Sequence, residues 1–159
     1  MPCCFASLLA ATIACHRTSS SAWAKQQETN KHHDEFYHKY LTTDAATAKQ
    51  ALEQQLDYIE HDTVSVRSGK AHDLFLVHSR LFVLDSRTGE NDEAVINLTK
   101  AHYWLLECAE LEGWPTERQA EELKRFDVNG ILAMVDKQDK ASGDQNGPRY
   151  LQELGAAKR

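Results

Sequence analysis

The sequence has little of what an all-β, membrane-spanning or nucleic-acid-binding protein needs. Its 159 residues include only 7 Gly and 3 Pro, which is few for a fold rich in tight turns. No apolar run reaches the length of about 18 residues that a membrane-spanning helix requires. A formal net charge of −6 excludes a broadly basic surface of the kind that binds nucleic acid. One folded domain with flanking segments, and no nucleic-acid partner, is therefore expected.

The sequence also lacks the short motifs that carry catalysis or metal binding. It contains no glycine-rich phosphate loop, no HExxH, no CxxC pair and no GxSxG. Residues 43–138 carry ten basic and eighteen acidic residues, so an acidic folded body is expected between two weakly basic flanks. We therefore predict no catalytic residue, no cofactor and no bound metal.

The N-terminal segment is apolar up to a sharp change of composition at Cys15. Residues 1–14 (MPCCFASLLAATIA) are uncharged, small and apolar, and the composition turns polar directly after Cys15. Thr12-Ile13-Ala14-Cys15 resembles the lipobox of a bacterial lipoprotein signal, and this resemblance implies cleavage before Cys15 and acylation of this residue as a membrane anchor. His16 stands where the family places Asp for inner-membrane retention, which implies the outer membrane if the host has one. An ordinary secretory signal and an apolar N-terminus of a cytosolic chain remain as alternatives.

The remaining chain divides into a body and two flanks. We expect a polar tether at residues 15–42, a helical domain at residues 43–138 and a flexible C-terminal tail at residues 139–159. Four residues of the tether are expected to form one helical turn that docks on the body: Phe36, Tyr37, Tyr40 and Leu41.

Apolar residues recur at spacings of three and four through the body, which predicts helices. The predicted helices cover residues 44–61, 71–87, 92–111 and 116–137. Gly130 is expected to weaken the last helix, or to split it near Asn129. The predicted fold class is therefore all-α, built from antiparallel helical hairpins.

Residues 75–108 resemble a tetratricopeptide (TPR) repeat. Leu81 stands at the packing position of the first helix, Gly89 in the turn, and Ala94 and Ala101 at the small positions where two helices cross closely. The resemblance implies a TPR-like stack whose groove holds another protein. One repeat cannot bury its own face, so the flanking helices would have to cover it. A plain four-helix bundle is the alternative.

Three aromatic residues are the candidates for a partner-binding surface: Tyr103, Trp104 and Trp114. Large aromatic residues outside the main apolar stripe often mark interfaces. Packing between helices is the alternative explanation. Cys108 lies on the predicted apolar stripe and is expected to be a core residue and not a reactive thiol.

Histidines offer the only hints of other chemistry. His32, His33 and His38 could bind metal, although His33 and His38 are five positions apart and do not share a helix face. His78 and His102 are expected to be hydrogen-bonded core residues, and only a cleft beside Asp85 would make them catalytic.

The sequence favours a non-catalytic, membrane-tethered helical module that binds another protein in the bacterial cell envelope. Two alternatives of other classes remain. One is an envelope metal-binding protein that uses the histidines at positions 32–38, and the other is an accessory subunit of an enzyme.

Overall fold

The computed structural model describes residues 6–143 and 145–157, with side chains from residue 21 onward. These residues form seven α-helices and contain no strand, so the predicted all-α class is confirmed. The helices are α1 (Ala6–Thr42), α2 (Ala45–His61), α3 (Arg67–Thr88), α4 (Asn91–Leu111), α5 (Thr116–Arg125), α6 (Val128–Ser142) and α7 (Arg149–Ala157). Short connections join most of them: consecutive helices from α1 to α5 pack against each other, α6 packs on α3, and α7 packs on α1 and α2.

Helix α3 is the central helix of the fold. It packs most extensively against α4 and also contacts α2 and α6. From Leu74 to Asp85 every side chain except that of Leu76 is buried, as expected for a helix that is surrounded by others. Gly89 ends α3 with a φ of 88°, a conformation that costs glycine little, and the tight turn reverses the chain into α4.

The core consists of two apolar clusters on either side of α3. The first joins α1, α2, α3 and α7 and includes Tyr40, Leu52 and Val77. The second joins α3 to α4, α5 and α6 and includes Phe75 and Ile131. The indole of Trp104 packs against both clusters, so that they form one continuous interior.

The segment predicted as a polar tether is helical throughout, and its C-terminal part belongs to the body. Residues 15–42 all lie in α1, which packs along α2. Tyr40 and Leu41 are buried, which confirms that this turn docks on the body. The low aliphatic content of the segment suggested a linker, but the aromatic side chains supply the apolar area that holds it.

The segment predicted as a flexible tail also differs from expectation. Asp139 is buried within α6, and Tyr150 at the start of α7 is buried against α1. The hydroxyl groups of Tyr37 and Tyr40 donate hydrogen bonds of 3.0 and 2.7 Å to Asp139. The guanidinium of Arg87 donates to the Tyr150 hydroxyl at 3.3 Å. Polar contacts of tyrosine therefore hold this end of the chain, and a search for aliphatic stripes does not detect them.

The last predicted helix is two helices. The break falls at Phe126 and Asp127, two to three residues before the expected position. Asp127 caps α6 by accepting a 2.8 Å hydrogen bond from the N–H of Gly130. A Cβ at Gly130 would overlap the carbonyl oxygen of Arg125, so this glycine permits the close approach of the end of α5. The two helices therefore meet at an angle and do not continue as one rod.

Candidate functional site

A largely apolar groove lies between the α3–α4 hairpin and the α5–α6 pair, with a volume of about 820 Å³. Its floor contains the rings of Phe75 and Phe126, which meet edge to face at 5.3 Å between centroids. One face of α6 forms a wall, through Gly130, Ala133, Met134, Lys137, Gln138 and Ala141. At 1.5 Å per residue this face extends over about 16 Å, which is three helical turns.

Positive charges surround this groove in an otherwise acidic body. Arg118, Arg125 and Lys137 line it, and Glu122 is the one carboxylate among the described lining residues. The Arg125 guanidinium lies 3.5 Å from the Glu122 carboxylate, so that this pair largely neutralises itself. Within the described part of the chain, Arg118 and Lys137 have no ion-pair partner. The groove therefore presents two unneutralised cations beside apolar side chains.

A second cavity of about 510 Å³ adjoins the groove and has the opposite charge. The two share His72, Cys108 and Trp114 in their walls. Asp73 and Glu112 line the second cavity, and no Lys or Arg does so among its described lining residues. The charge thus changes from negative to positive on passing the Trp114 indole.

The three predicted partner-binding aromatics have different surroundings in the structure, although the rings of Tyr103 and Trp104 are in contact. Trp114 is half-buried at the junction of the two cavities, with the Arg118 guanidinium over its ring. Tyr103 is 57% exposed on the outer face of α4, where its ring meets that of Trp104 edge to face at 5.0 Å. Trp104 is mainly a packing residue between the two clusters. Only Trp114 therefore lies at the groove.

Sequence reasoning missed the cations of the groove. Arg118, Glu122 and Arg125 follow each other at spacings of four and three, and so they share one face of α5. This periodicity was visible in the sequence as a charged stripe. Because the break between α5 and α6 turns this stripe toward the apolar face of α6, its role depends on tertiary structure.

The α5–α6 pair is positioned by a side chain of α4. The Nε2 of His102 donates a 2.7 Å hydrogen bond to the carbonyl oxygen of Phe126, at the end of α5. Because a carbonyl only accepts, this nitrogen carries the proton. His102 thus has a hydrogen-bonding role at the junction between α5 and α6.

His78 and Asp85 belong to a buried polar chain between α3 and α4. The Nδ1 of His78 donates to Asn97 Oδ1 at 2.9 Å, while Asn97 Nδ2 donates to Asp85 at 2.8 Å. Lys49 approaches the Asp85 carboxylate to 2.9 Å and also pairs with Glu90. Burial lowers the pKa of His78 below its ordinary value, which favours the neutral ring. These contacts account for the polar side chains of His78 and Asp85 in the interior.

Of the histidines at positions 32–38, His32 and His33 both lie against the ring of Tyr58. The His32 ring lies 5.0 Å from that of Tyr58, while His33 Nδ1 accepts a 3.0 Å hydrogen bond from Gln55. His38 is exposed. Among the described residues no group of three or more His, Cys, Asp or Glu side chains is placed to hold a metal ion. In the described structure these histidines therefore do not supply the converging set of ligands that the alternative of a metal-binding protein would need.

The predictions single out two cysteines, Cys108 in α4 and Cys15 in α1. Cys108 is half-buried in the wall between the two cavities, and burial raises the pKa of its thiol. Its thiol lies 3.6 Å from the Ser68 carbonyl oxygen. Cys15 lies in α1, but its side chain is outside the described part, as are residues 1–5 of the predicted signal. None of the helices in the described part is long and apolar enough to cross a bilayer.

Comparisons of the chain with protein-family models, with curated proteins and with solved structures find no significant match.

Proposed function

We propose that the protein is a non-catalytic, membrane-tethered helical module of the bacterial cell envelope that holds a segment of another protein in the groove beside α6. The observation that carries this proposal is the apolar groove of about 820 Å³ with Trp114 at one end. Exposed apolar concavities next to aromatic and arginine side chains are typical of protein-recognition sites.

The contacts around the groove support a docking role over a catalytic one. The polar groups with displaced pKa values at His78 and Asp139 lie in the interior, where hydrogen bonds to Asn97, Tyr37 and Tyr40 occupy them. Besides cations and apolar rings, the described lining of the groove contains His72, Cys108 and Glu122, and the Glu122 carboxylate is paired with Arg125. Such a surface can bind a chain segment without acting chemically on it.

The geometry of α1 is compatible with a lipid anchor at Cys15. Among residues with described side chains, Thr29 is the first buried residue of this helix. Cys15 lies fourteen positions earlier, which is about 21 Å along a helix. Acyl chains on Cys15 would thus hold the body at a distance from the membrane and leave the groove accessible.

Blocking the groove tests the docking proposal. Ala133 is exposed on the groove wall, whereas Ala120 is exposed on α5 outside it. Calorimetry measures the affinity of the full chain for three helical peptides. All three peptides have the same leucine face, and their opposite face carries acidic, basic or neutral residues. We expect at least one peptide to bind, Ala133→Trp to abolish the binding, and Ala120→Trp to preserve it.

The same experiment can overturn the proposal in two ways. Failure of all three peptides to bind would contradict a groove that accepts helical segments. Equal loss of binding in both tryptophan variants would place the binding surface elsewhere.

A further inference from the structure

We infer that the occupant of the groove is an amphipathic helix whose polar face is acidic, with carboxylates that pair with Arg118 and Lys137. This inference rests on the proposed docking function and adds the chemistry of the partner. Docking alone does not determine the charge of the partner, because a protein-binding groove can be neutral, acidic or basic.

The shape of the groove favours a helix as the occupant. An extended segment that binds by adding a strand would need a free strand edge, and the described residues contain no strand. The groove instead runs along one face of α6 for about three turns, between two helical pairs. An apolar helix face fits such a channel by the same packing that joins the helices of the body.

The charges select an acidic helix. Arg118 lies on α5 and Lys137 on α6, so that cations from both helices border the channel. Both side chains are exposed and have no ion-pair partner in the described part of the chain. Carboxylates on a bound helix would meet them at the rim, whereas lysines there would be repelled.

The same charges limit how far the acidic face extends. Beyond Trp114 the adjoining cavity is bordered by Asp73 and Glu112, which would repel further carboxylates. The acidic part of the partner is therefore expected to lie over α5 and α6, and the residues that pass Trp114 to be neutral or basic.

An anionic membrane surface fits the groove less well. The apolar side chains line a concave floor, where a bilayer cannot reach them, whereas membrane-binding helices insert a protruding apolar face. The net charge of −6 also opposes approach to an anionic surface. A protein helix is therefore the favoured occupant.

Charge reversal with a matched control tests the inference. Arg118→Glu with Lys137→Glu reverses the two groove cations that have no ion-pair partner, while Lys124→Glu with Lys140→Glu makes the same charge change at exposed positions outside the groove. Calorimetry of the full chain is carried out with the acidic and the basic leucine-faced peptides. We expect the groove variant to lose about tenfold or more in affinity for the acidic peptide, and the control to lose much less.

Two further results decide the inference. The basic peptide should bind the groove variant more tightly than the unsubstituted chain, and added salt should weaken the acidic peptide on the unsubstituted chain. Equal affinity of both peptides for the unsubstituted chain would overturn the inference that the partner is acidic, but it would leave the docking proposal intact. Failure of every peptide would overturn both. Binding to anionic vesicles that depends on Arg118 and Lys137 would contradict a protein helix as the occupant.

Discussion

The guanidinium carbon of Arg118 lies 3.7 Å from the centroid of the Trp114 ring. This cation–π contact joins the end of the α4–α5 connection to the first turn of α5. It fixes one cation of the groove directly over the aromatic side chain at its end. The charge and the apolar surface of the proposed site are therefore positioned by the same pair of residues.

Trp114→Ala is expected to weaken binding of the acidic peptide by about tenfold or more, because a half-buried aromatic anchor is lost from the groove. Tyr103→Ala is the matched control, since it removes an aromatic ring from the outer face of α4. Calorimetric titration of both variants measures the effect. A larger loss in the Tyr103 variant would move the binding surface to α4.

Gly130→Ala is expected to destabilise the protein by about 2 kcal/mol, because the added methyl group overlaps the Arg125 carbonyl oxygen and forces α5 away from α6. Gly155→Ala provides the control, since a Cβ there meets no atom within 4 Å. That substitution is expected to be neutral or to stabilise α7 by about 0.5 kcal/mol. Urea unfolding gives both values, and an unchanged stability of the Gly130 variant would contradict the proposed close approach.

The sequence predicted the helical body well and the flanks poorly, for physical reasons. Apolar periodicity located α2, α3 and α4 to within about four residues, because their burial is mostly aliphatic. The docking of the turn that contains Tyr40 was predicted, but the continuous helix before it was not. Tyr150 holds the C-terminal flank through a buried hydroxyl group, and such a contact leaves no periodic signal in the sequence. Trp114 could be singled out from composition, but Lys137 could not, since it joins Arg118 only after the chain breaks at Phe126 and Asp127.

Asp139→Asn is expected to remove a pH dependence of stability. Burial raises the pKa of Asp139 in the folded protein above its ordinary value of 3.8. At a pH between the pKa of Asp139 in the unfolded chain and its higher pKa in the folded protein, the folded chain binds the proton more tightly. The free energy of unfolding therefore falls as the pH rises through this interval. Urea unfolding across this interval should show the fall in the unsubstituted chain and a smaller one in the variant. Identical slopes in the two proteins would show that Asp139 does not titrate in this way.

His78→Gln is expected to remove a pH dependence of the opposite sign. Because burial lowers the pKa of His78 below 6.5, the unfolded chain takes up the proton first as the pH falls. The free energy of unfolding should therefore decrease below that pH and stay more nearly constant in the variant, whose amide can still donate to Asn97. His72→Gln, at an exposed position of α3, is the control and should retain the decrease. If the free energy of unfolding of the His78→Gln variant decreases as much as that of the unsubstituted chain, another group is responsible.

Cys15→Ser is expected to abolish acylation of the protein in its native host. Intact-mass spectrometry of the membrane fraction should show a chain that begins at Cys15 and is heavier by two or three acyl chains. Cys108→Ser, a substitution inside the body, should leave this mass increment unchanged. An unprocessed chain in the soluble fraction would contradict the lipid anchor.

The central claim is that the groove beside α6 accepts an acidic amphipathic helix. Its most direct test is an NMR titration of the isotope-labelled full chain with the acidic peptide, which maps the contact onto individual backbone amides. The account predicts shifts that cluster at Trp114, Arg118, Ala133 and Lys137. Shifts that cluster instead around Ile96 and Tyr103 on the outer face of α4, or no shifts at all, would contradict it.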